Sequence, residues 1–294
     1  MLRKFQAIRS SVKYIGLWKT FFRFLPSRFI SSSNYKAYCR RCYVESCCHE
    51  IINESLDFDW SGKVVNRNIF VFWFQGFDAA PETVRQTFNS LKSTHGDSFD
   101  VIFVDKFNVG DFCEDSQANV DMVESGLLHP AHFSDILRFS LIYKHGGVWL
   151  DAGMYYLDDI GEMLKGRLRS LQVLDSQSSS VYVSKGRWSG AVWGGLKGDP
   201  FFLSVTKCLN LLHAISGPSI EFLIMDDVLD LIISRSNSIA SQLTDSPSVR
   251  NIYSLQRSII QNCCSGQVVA QNPIGKLTHK YDDLNSEFLS LIMK

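Results

Sequence analysis

The sequence predicts an α/β fold, a Rossmann-like mixed sheet flanked by helices and preceded by a basic amphipathic helical arm. Three observations carry this. Residues 69–74, Ile-Phe-Val-Phe-Trp-Phe, form an unbroken run of apolar, β-branched and aromatic residues, the composition of a strand buried on both faces. A helical segment from Pro81 to Leu91 separates that run from a second short strand, Val101–Val104, which gives the βαβ order of a parallel sheet. The stretch from Pro130 to Asp151 reads as helix, glycine stop and buried strand. Pro130 suits a first turn, Phe133, Ile136, Leu137, Ser140 and Leu141 share a face, and Gly146-Gly147 precedes Val148-Trp149-Leu150.

Residues 1–33 form the arm. Ten of the thirty Lys and Arg residues precede Glu45 and none of the thirty acids does, so the remainder of the 294-residue chain carries a net charge of −10. At helical spacing Ile8, Ser11, Val12, Ile15, Trp18 and Phe22 make one stripe, with Arg9 and Lys13 opposite and Lys19 and Arg23 at its border. Such a helix either lies on an anionic membrane surface or packs on the core with its basic groups in water. No apolar run approaches the ~18 residues of a membrane span, and Lys13, Lys19 and Arg23 interrupt any leader-like core. The expected location is therefore cytoplasmic, peripheral on the inner face of the plasma membrane.

Residues 34–67 read as a helical connector after the break at Ser31–Asn34. Cys39, Cys42, Cys47, Cys48 and His49 offer zinc-ligand chemistry, but the adjacent Cys47-Cys48 pair departs from a spaced second knuckle. They form either a structural zinc site or packed, reduced thiols. Eight cysteines in a chain of this length do not make a secreted disulfide framework.

Residues 68–294 read as one domain. Ligands of open α/β sheets bind outside the carboxyl ends of the strands, which brings Trp73, Gln75, Gly76 and Asp105 toward Asp151. Trp73 either stacks on a nucleobase or packs in the core, and Gly76 permits close backbone approach. Asp135 and Arg138, three apart, share a helix face and suit ribose and phosphate. Strands at Val181–Val183 and Ala191–Trp193 bracket a polar turn, Lys185–Gly190, where Trp188 or Trp193 either stacks on an acceptor sugar or packs inward. Two helices follow, Phe201–Ile215 and Ile220–Ser234. In the second, Asp227 falls within the apolar stripe of Ile220, Leu223, Ile224, Val228 and Leu231, so it needs a partner or a task, while Asp226 turns to solvent. The tail from Asn272 to Lys280 supplies Lys276, His279 and Lys280 for a diphosphate, with His279 also a metal ligand type. No nucleic-acid motif, P-loop or G-x-G-x-x-G pattern occurs.

The residues Ser134-Asp135-x-x-Arg138, then Gly146-Gly147-x-Trp149-x-Asp151, resemble the glycosyltransferases with a DXD sugar-binding region. The capsular polysaccharide synthesis branch, akin to glycosyltransferase family 32, is the nearest. The resemblance extends upstream to Asn68–Gly76 with Pro81 and downstream to Lys276-Leu277-Thr278. It implies a GT-A domain in which Trp73, Gln75, Gly76, Asp135, Arg138, Gly147, Asp151 and Lys276 bind the donor. It also implies Asp151 as a catalytic and metal-binding residue beside His279, with Mn²⁺ or Mg²⁺, although Gly153 stands where the pattern has its second acid. Asp227 is the candidate carboxylate near the acceptor.

The implied activity is a hexosyltransferase that moves a sugar, with retention, from a nucleoside diphosphate donor such as a UDP-sugar. The implied acceptor is a cell-surface polysaccharide or lipid-linked oligosaccharide. A toxin-like transferase acting on proteins carries the same elements, and Gly153 favours a third reading, a non-catalytic sugar-binding assembly subunit.

Overall fold

Alternation along the first strand decides the layering, because each successive side chain takes the opposite face. In the computed structural model, which describes residues 2–24, 33–56, 62, 64–176, 183–217, 221, 223–261, 266–281 and 289, Phe70 and Phe72 point into one apolar layer and Ile69 and Val71 into another. Helices α1 (Leu2–Phe24) and α2 (Ser33–Leu56) precede the sheet. Strand β1 (Asn68–Phe72), helix α3 (Glu82–His95) and strand β2 (Asp100–Val104) make the expected βαβ opening. Short helices α4 (Val109–Phe112) and α5 (Gln117–Glu124) lead to α6 (Pro130–His145), and a glycine turn leads into β3 (Gly147–Asp151). Strands β4 (Met154–Tyr156), β5 (Leu168–Ser170), β6 (Gln172–Val173) and β7 (Val192–Gly195) follow. The rest comprises α7 (Pro200–Ser216), α8 (Ile224–Arg235), α9 (Asn237–Thr244), β8 (Ser248–Val249), α10 (Ser254–Ile260), α11 (Gly266–Gln271) and β9 (Ile274–Lys276).

The main sheet has the order β2-β1-β3-β7-β5, with β1 parallel to β2 and β3, and β7 antiparallel to β3 and β5. Phe72 is in register with both Val104 and Asp151, so the three parallel strands end in one row. This mixed sheet between helices is compatible with a Rossmann-like fold. Gly147 is fixed by contact at the opposite end of β3 from Asp151: its φ is +110°, and an added Cβ would lie 2.5 Å from the Asn68 carbonyl oxygen. It holds β3 against β1, at the end of the strand remote from Asp151. In the segment expected to form the Val181–Val183 strand, Val183 lies in a turn and residues 181–182 are outside the described ones. The second late helix begins at Ile224; Ile220 too is outside them.

The N-terminal segments differ most from expectation. Helix α1 breaks at Gly16 (φ 77°, ψ 171°), which resets the periodicity. Ala7, Ser11, Thr20 and Arg23 are buried, while Ile8 and Trp18 of the expected stripe are exposed together with Leu17 and Phe21. Arg23 donates to both oxygens of Glu221 at 2.6 and 2.5 Å and lies over the Tyr43 ring, so it is unavailable to a lipid surface. Helix α2 contributes Tyr43, Val44, Cys48 and Ile52 to the main core and packs on α1, α7 and α8. Cys39 and Cys48 are buried, burial pushes the Cys47 thiol up to about 12, and His49 faces water, which is the packed-thiol arrangement. No helix among the described residues is long and apolar enough to cross a membrane.

Asp227 has a partner. It is fully buried between α2 and α8, where Arg40 Nε and Nη2 grip its two oxygens, the latter at 3.3 Å. The inward position was legible, but the acid serves an interior ion pair and is not open to an acceptor. Removing one member strands the other charge, so Arg40→Ala should cost about 3–5 kcal/mol in urea unfolding. The double change Arg40→Met with Asp227→Leu should recover most of that loss.

Candidate functional site

Strand β3 carries Asp151 to the row of strand ends and the antiparallel pair β4–β9 brings the C-terminal segment beside it, with Met154 opposite Lys276. Helix α6 supplies Asp135 and Arg138 one turn apart. Asp151 Oδ1 accepts from Arg138 Nη2 at 2.9 Å and from the Trp149 indole N–H at 2.9 Å; Oδ2 accepts from Lys276 Nζ at 2.7 Å. Arg138 Nη2 also lies 3.2 Å from Asp135 Oδ1, and Nη1 points at the Met225 sulfur. The Arg138 Nε is buried and makes no hydrogen bond.

These groups face a cavity of about 490 Å³ whose walls also include Trp73, Gln75, Tyr253 and His279. The volume suits a small-molecule ligand. The half-buried Trp73 has its ring edge-on to His279 at 5.5 Å, and its indole N–H is buried without a partner. The structure thus brings together Trp73, Gln75, Asp135, Arg138, Asp151, Lys276 and His279 of the expected set. Gly76 and Gly147 do not line the cavity, and Asp105 instead closes its own loop by accepting from Phe107 and Asn108 N–H.

Charge is divided unequally between the two carboxyls. Burial raises the Asp135 carboxyl; the charges of Asp151 and Asp226 add to that and Arg138 and Lys276 oppose it, leaving it pushed up to about 7. Burial acts on Asp151 as well, but Lys276 and Arg138 outweigh it and hold this carboxyl well below the usual range. Burial works against the Lys276 ammonium, and Asp151 more than restores it, so its pKa is raised. Two acids on one cavity with opposed shifts are the pattern of a functional site.

Sequence reasoning missed Tyr253, which follows β8 without any motif, and misplaced Asp226. Asp226 is half-buried and partnered: it accepts from the Trp188 indole N–H at 3.0 Å, and its charge acts on Asp135. Trp188 and Trp193 are buried, so neither offers a face to a sugar. The signal for Asp226 lay in the helix start, since beginning α8 at Ile224 puts this acid in the first turn.

The residues present do not fit a protein-held divalent cation. Both oxygens of Asp151 are engaged by cationic side chains, Gly153 offers no acid, and no cluster of three or more His, Cys, Asp or Glu suited to a metal occurs among the described residues.

A raised carboxyl makes the folded state the better proton binder, so its stability contribution is greatest below the unfolded-state pKa and declines as pH rises from ~4 toward 7. Asp135→Asn should therefore raise Tm at pH 8 and flatten its dependence on pH over that range. Relief of even ~1.4 kcal/mol corresponds to roughly 2 °C in a chain of this size. Calorimetric melts at pH 4.5 and pH 8 test this.

No curated protein matches the chain. A family model described as capsular polysaccharide synthesis protein matches residues 25–293. With α2, the whole sheet and the Asp151 cavity inside the matched residues, the chain belongs to the capsular polysaccharide synthesis protein family.

Proposed function

We propose that the protein is a glycosyltransferase of polysaccharide biosynthesis that uses a nucleoside diphosphate sugar, with a UDP-sugar the leading candidate. The observation that carries this is the Asp151 cavity, where two cations, two carboxyls and an indole meet at aligned strand ends. Family membership and the DXD-type resemblance support the same reading. In it, Trp73 meets the nucleobase, Asp135 and Asp151 accept from ribose and sugar hydroxyls, and Arg138 and Lys276 face the diphosphate.

In transfer, the bond from the anomeric carbon to the diphosphate oxygen breaks and its electron pair stays on that oxygen. The acceptor hydroxyl oxygen bonds to the anomeric carbon on the same face, and its proton passes to the departing phosphate oxygen. Configuration is retained and the step balances without a separate base. Fixed positive charge beside the leaving oxygen stabilises charge where it develops.

Asp151→Asn and Arg138→Ala should each weaken donor binding by roughly 1.5–3 kcal/mol, with a larger loss in turnover. Radiolabelled donor, calorimetry and product analysis on folded variants provide the check. Near-normal turnover in both variants would refute the site, donor binding without hydrolysis or transfer would indicate a sugar-binding subunit, and labelled protein a toxin-like transferase.

We also propose that the elbow of α1 docks on an anionic bilayer. Leu17 and Trp18 are each 74% exposed and Phe21 is 53% exposed, and an apolar cavity of about 630 Å³ opens between Ile8 and Phe24. Trp18, Phe22, Tyr35 and Tyr38 continue the patch as a chain of ring contacts. Arg9 and Lys13, exposed beside Ile8 and Val12, match anionic headgroups, and exposed Trp and Tyr suit the bilayer interface.

The triple change Leu17→Ser, Trp18→Ser, Phe21→Ser should abolish flotation with phosphatidylcholine–phosphatidylglycerol vesicles. Arg9→Glu with Lys13→Glu should weaken binding to those vesicles without affecting neutral ones. Unchanged flotation of the triple variant, or a dimer in sedimentation that the triple variant loses, would overturn the proposal.

A further inference from the structure

The position after Asp151 where the DXD pattern has its second acid is closed to any side chain. Gly153 has φ +84°, and an added Cβ would lie 2.3 Å from the Leu277 carbonyl oxygen. That oxygen cannot move aside cheaply, because the Leu277 N–H donates to the Gly153 carbonyl at 2.9 Å and Lys276 pairs with Met154 in the β4–β9 ladder. The same pairing delivers the Lys276 ammonium to 2.7 Å from Asp151. One backbone arrangement therefore excludes an acid and installs a cation.

Arg138 completes the picture. Its side chain is 4% exposed, it borders the cavity, and its Nε–H has no acceptor. That Nε–H is closed off behind the cavity wall, so what Arg138 offers the cavity is the charge of a guanidinium that is only partly satisfied by Asp135 and Asp151. A diphosphate supplies anionic oxygens for that charge and a second partner for Lys276.

We propose that Arg138 and Lys276 neutralise the donor's diphosphate in the role a divalent cation plays in DXD enzymes, so that nucleotide binding needs no metal. This rests on the reading of the cavity as a donor site. Lys276 is a point charge on a flexible stem and can turn from Asp151 Oδ2 to a phosphate oxygen, which frees that carboxylate oxygen for a hydroxyl. Arg138 stays fixed by Asp135 and Asp151 and contributes its charge at the cavity wall.

Calorimetry on the full chain with uridine, guanosine, cytidine and adenosine diphosphates, in chelator and in excess Mn²⁺, tests the proposal. One nucleotide should bind with the same affinity, within about twofold, in both conditions. Lys276→Met should weaken that diphosphate at least about tenfold while leaving the matching nucleoside unchanged, as expected for a lost charge-assisted bond. Lys276→Arg should restore most of the affinity, and circular dichroism reports whether each variant is folded. Should Lys276→Met fail to fold, the chelator comparison on the unaltered chain and the Lys276→Arg variant still decide the matter. Binding that appears only with Mn²⁺ would overturn the metal-independent assignment and leave the donor site standing. Absence of binding by every nucleotide in both conditions would remove the donor site and the inference with it.

Discussion

A carboxylate at the end of a buried strand needs compensation, and Asp151 receives it on both oxygens from elements distant in sequence. Arg138 arrives on α6 from the turn before, and Lys276 on β9 from the far end of the chain. Much of the C-terminal third is arranged by this requirement. The β4–β9 ladder, the Leu277–Gly153 hydrogen bond and the closure around Tyr253 all serve to bring one ammonium to one carboxylate. The cluster is also what divides the two acids, since the cations hold the Asp151 carboxyl low while burial leaves that of Asp135 raised.

Such a cluster is a stability liability that a binding site can use. Desolvation opposes each charge, and Arg138 Nε remains without a partner. In the proposed donor site, a ligand that brings anionic oxygens would meet the Arg138 charge and give Lys276 a second partner, with both cations placed before it arrives. Trp73 is also incompletely satisfied: its ring borders the same cavity while its indole N–H is buried without a partner.

What was legible in the sequence was local. The βαβ opening, the helix–glycine–strand unit and the placement of Asp135, Arg138 and Asp151 follow from apolar runs and spacing, and the described elements carry them. Lys276 was reachable because the tail motif could be aligned with a known pattern. Three things were not legible, each set by long-range contact. Gly147 belongs to the β1 contact, since adjacency to the site in sequence places it at the other end of the strand. The inward side of Asp227 was legible but its partner was not, because only Arg40, 187 residues away, shows that the acid serves an interior ion pair, and the bond from Trp188 that half-buries Asp226 is equally long-range. The break at Gly16 moves the exposed face of α1, and a periodicity count has no means to register a reset.

The uneven charge of the chain takes on a different meaning once these pairs are in view. The basic N-terminal stretch looks like a surface feature in the sequence, yet Arg23, Arg40 and Arg41 are spent on Glu221, Asp227 and Asp230 near or within α8. Part of the segregation therefore works inside the fold, clamping α1 and α2 onto the acidic half of the chain. Because α8 also carries Asp226 and Met225, which contact or act on the Arg138 cluster, the clamp fixes what lies behind Arg138 at the Asp151 cavity. Helix α2 is thus a structural part of the domain, in keeping with a family match that begins at residue 25, and only α1 lies outside the matched residues. The basic groups that stay exposed on α1, Arg9 and Lys13, sit beside the exposed apolar elbow. They line a groove against Ala214 and Ile215 of α7, next along the helix surface from the apolar cavity that Ile8 and Val12 border.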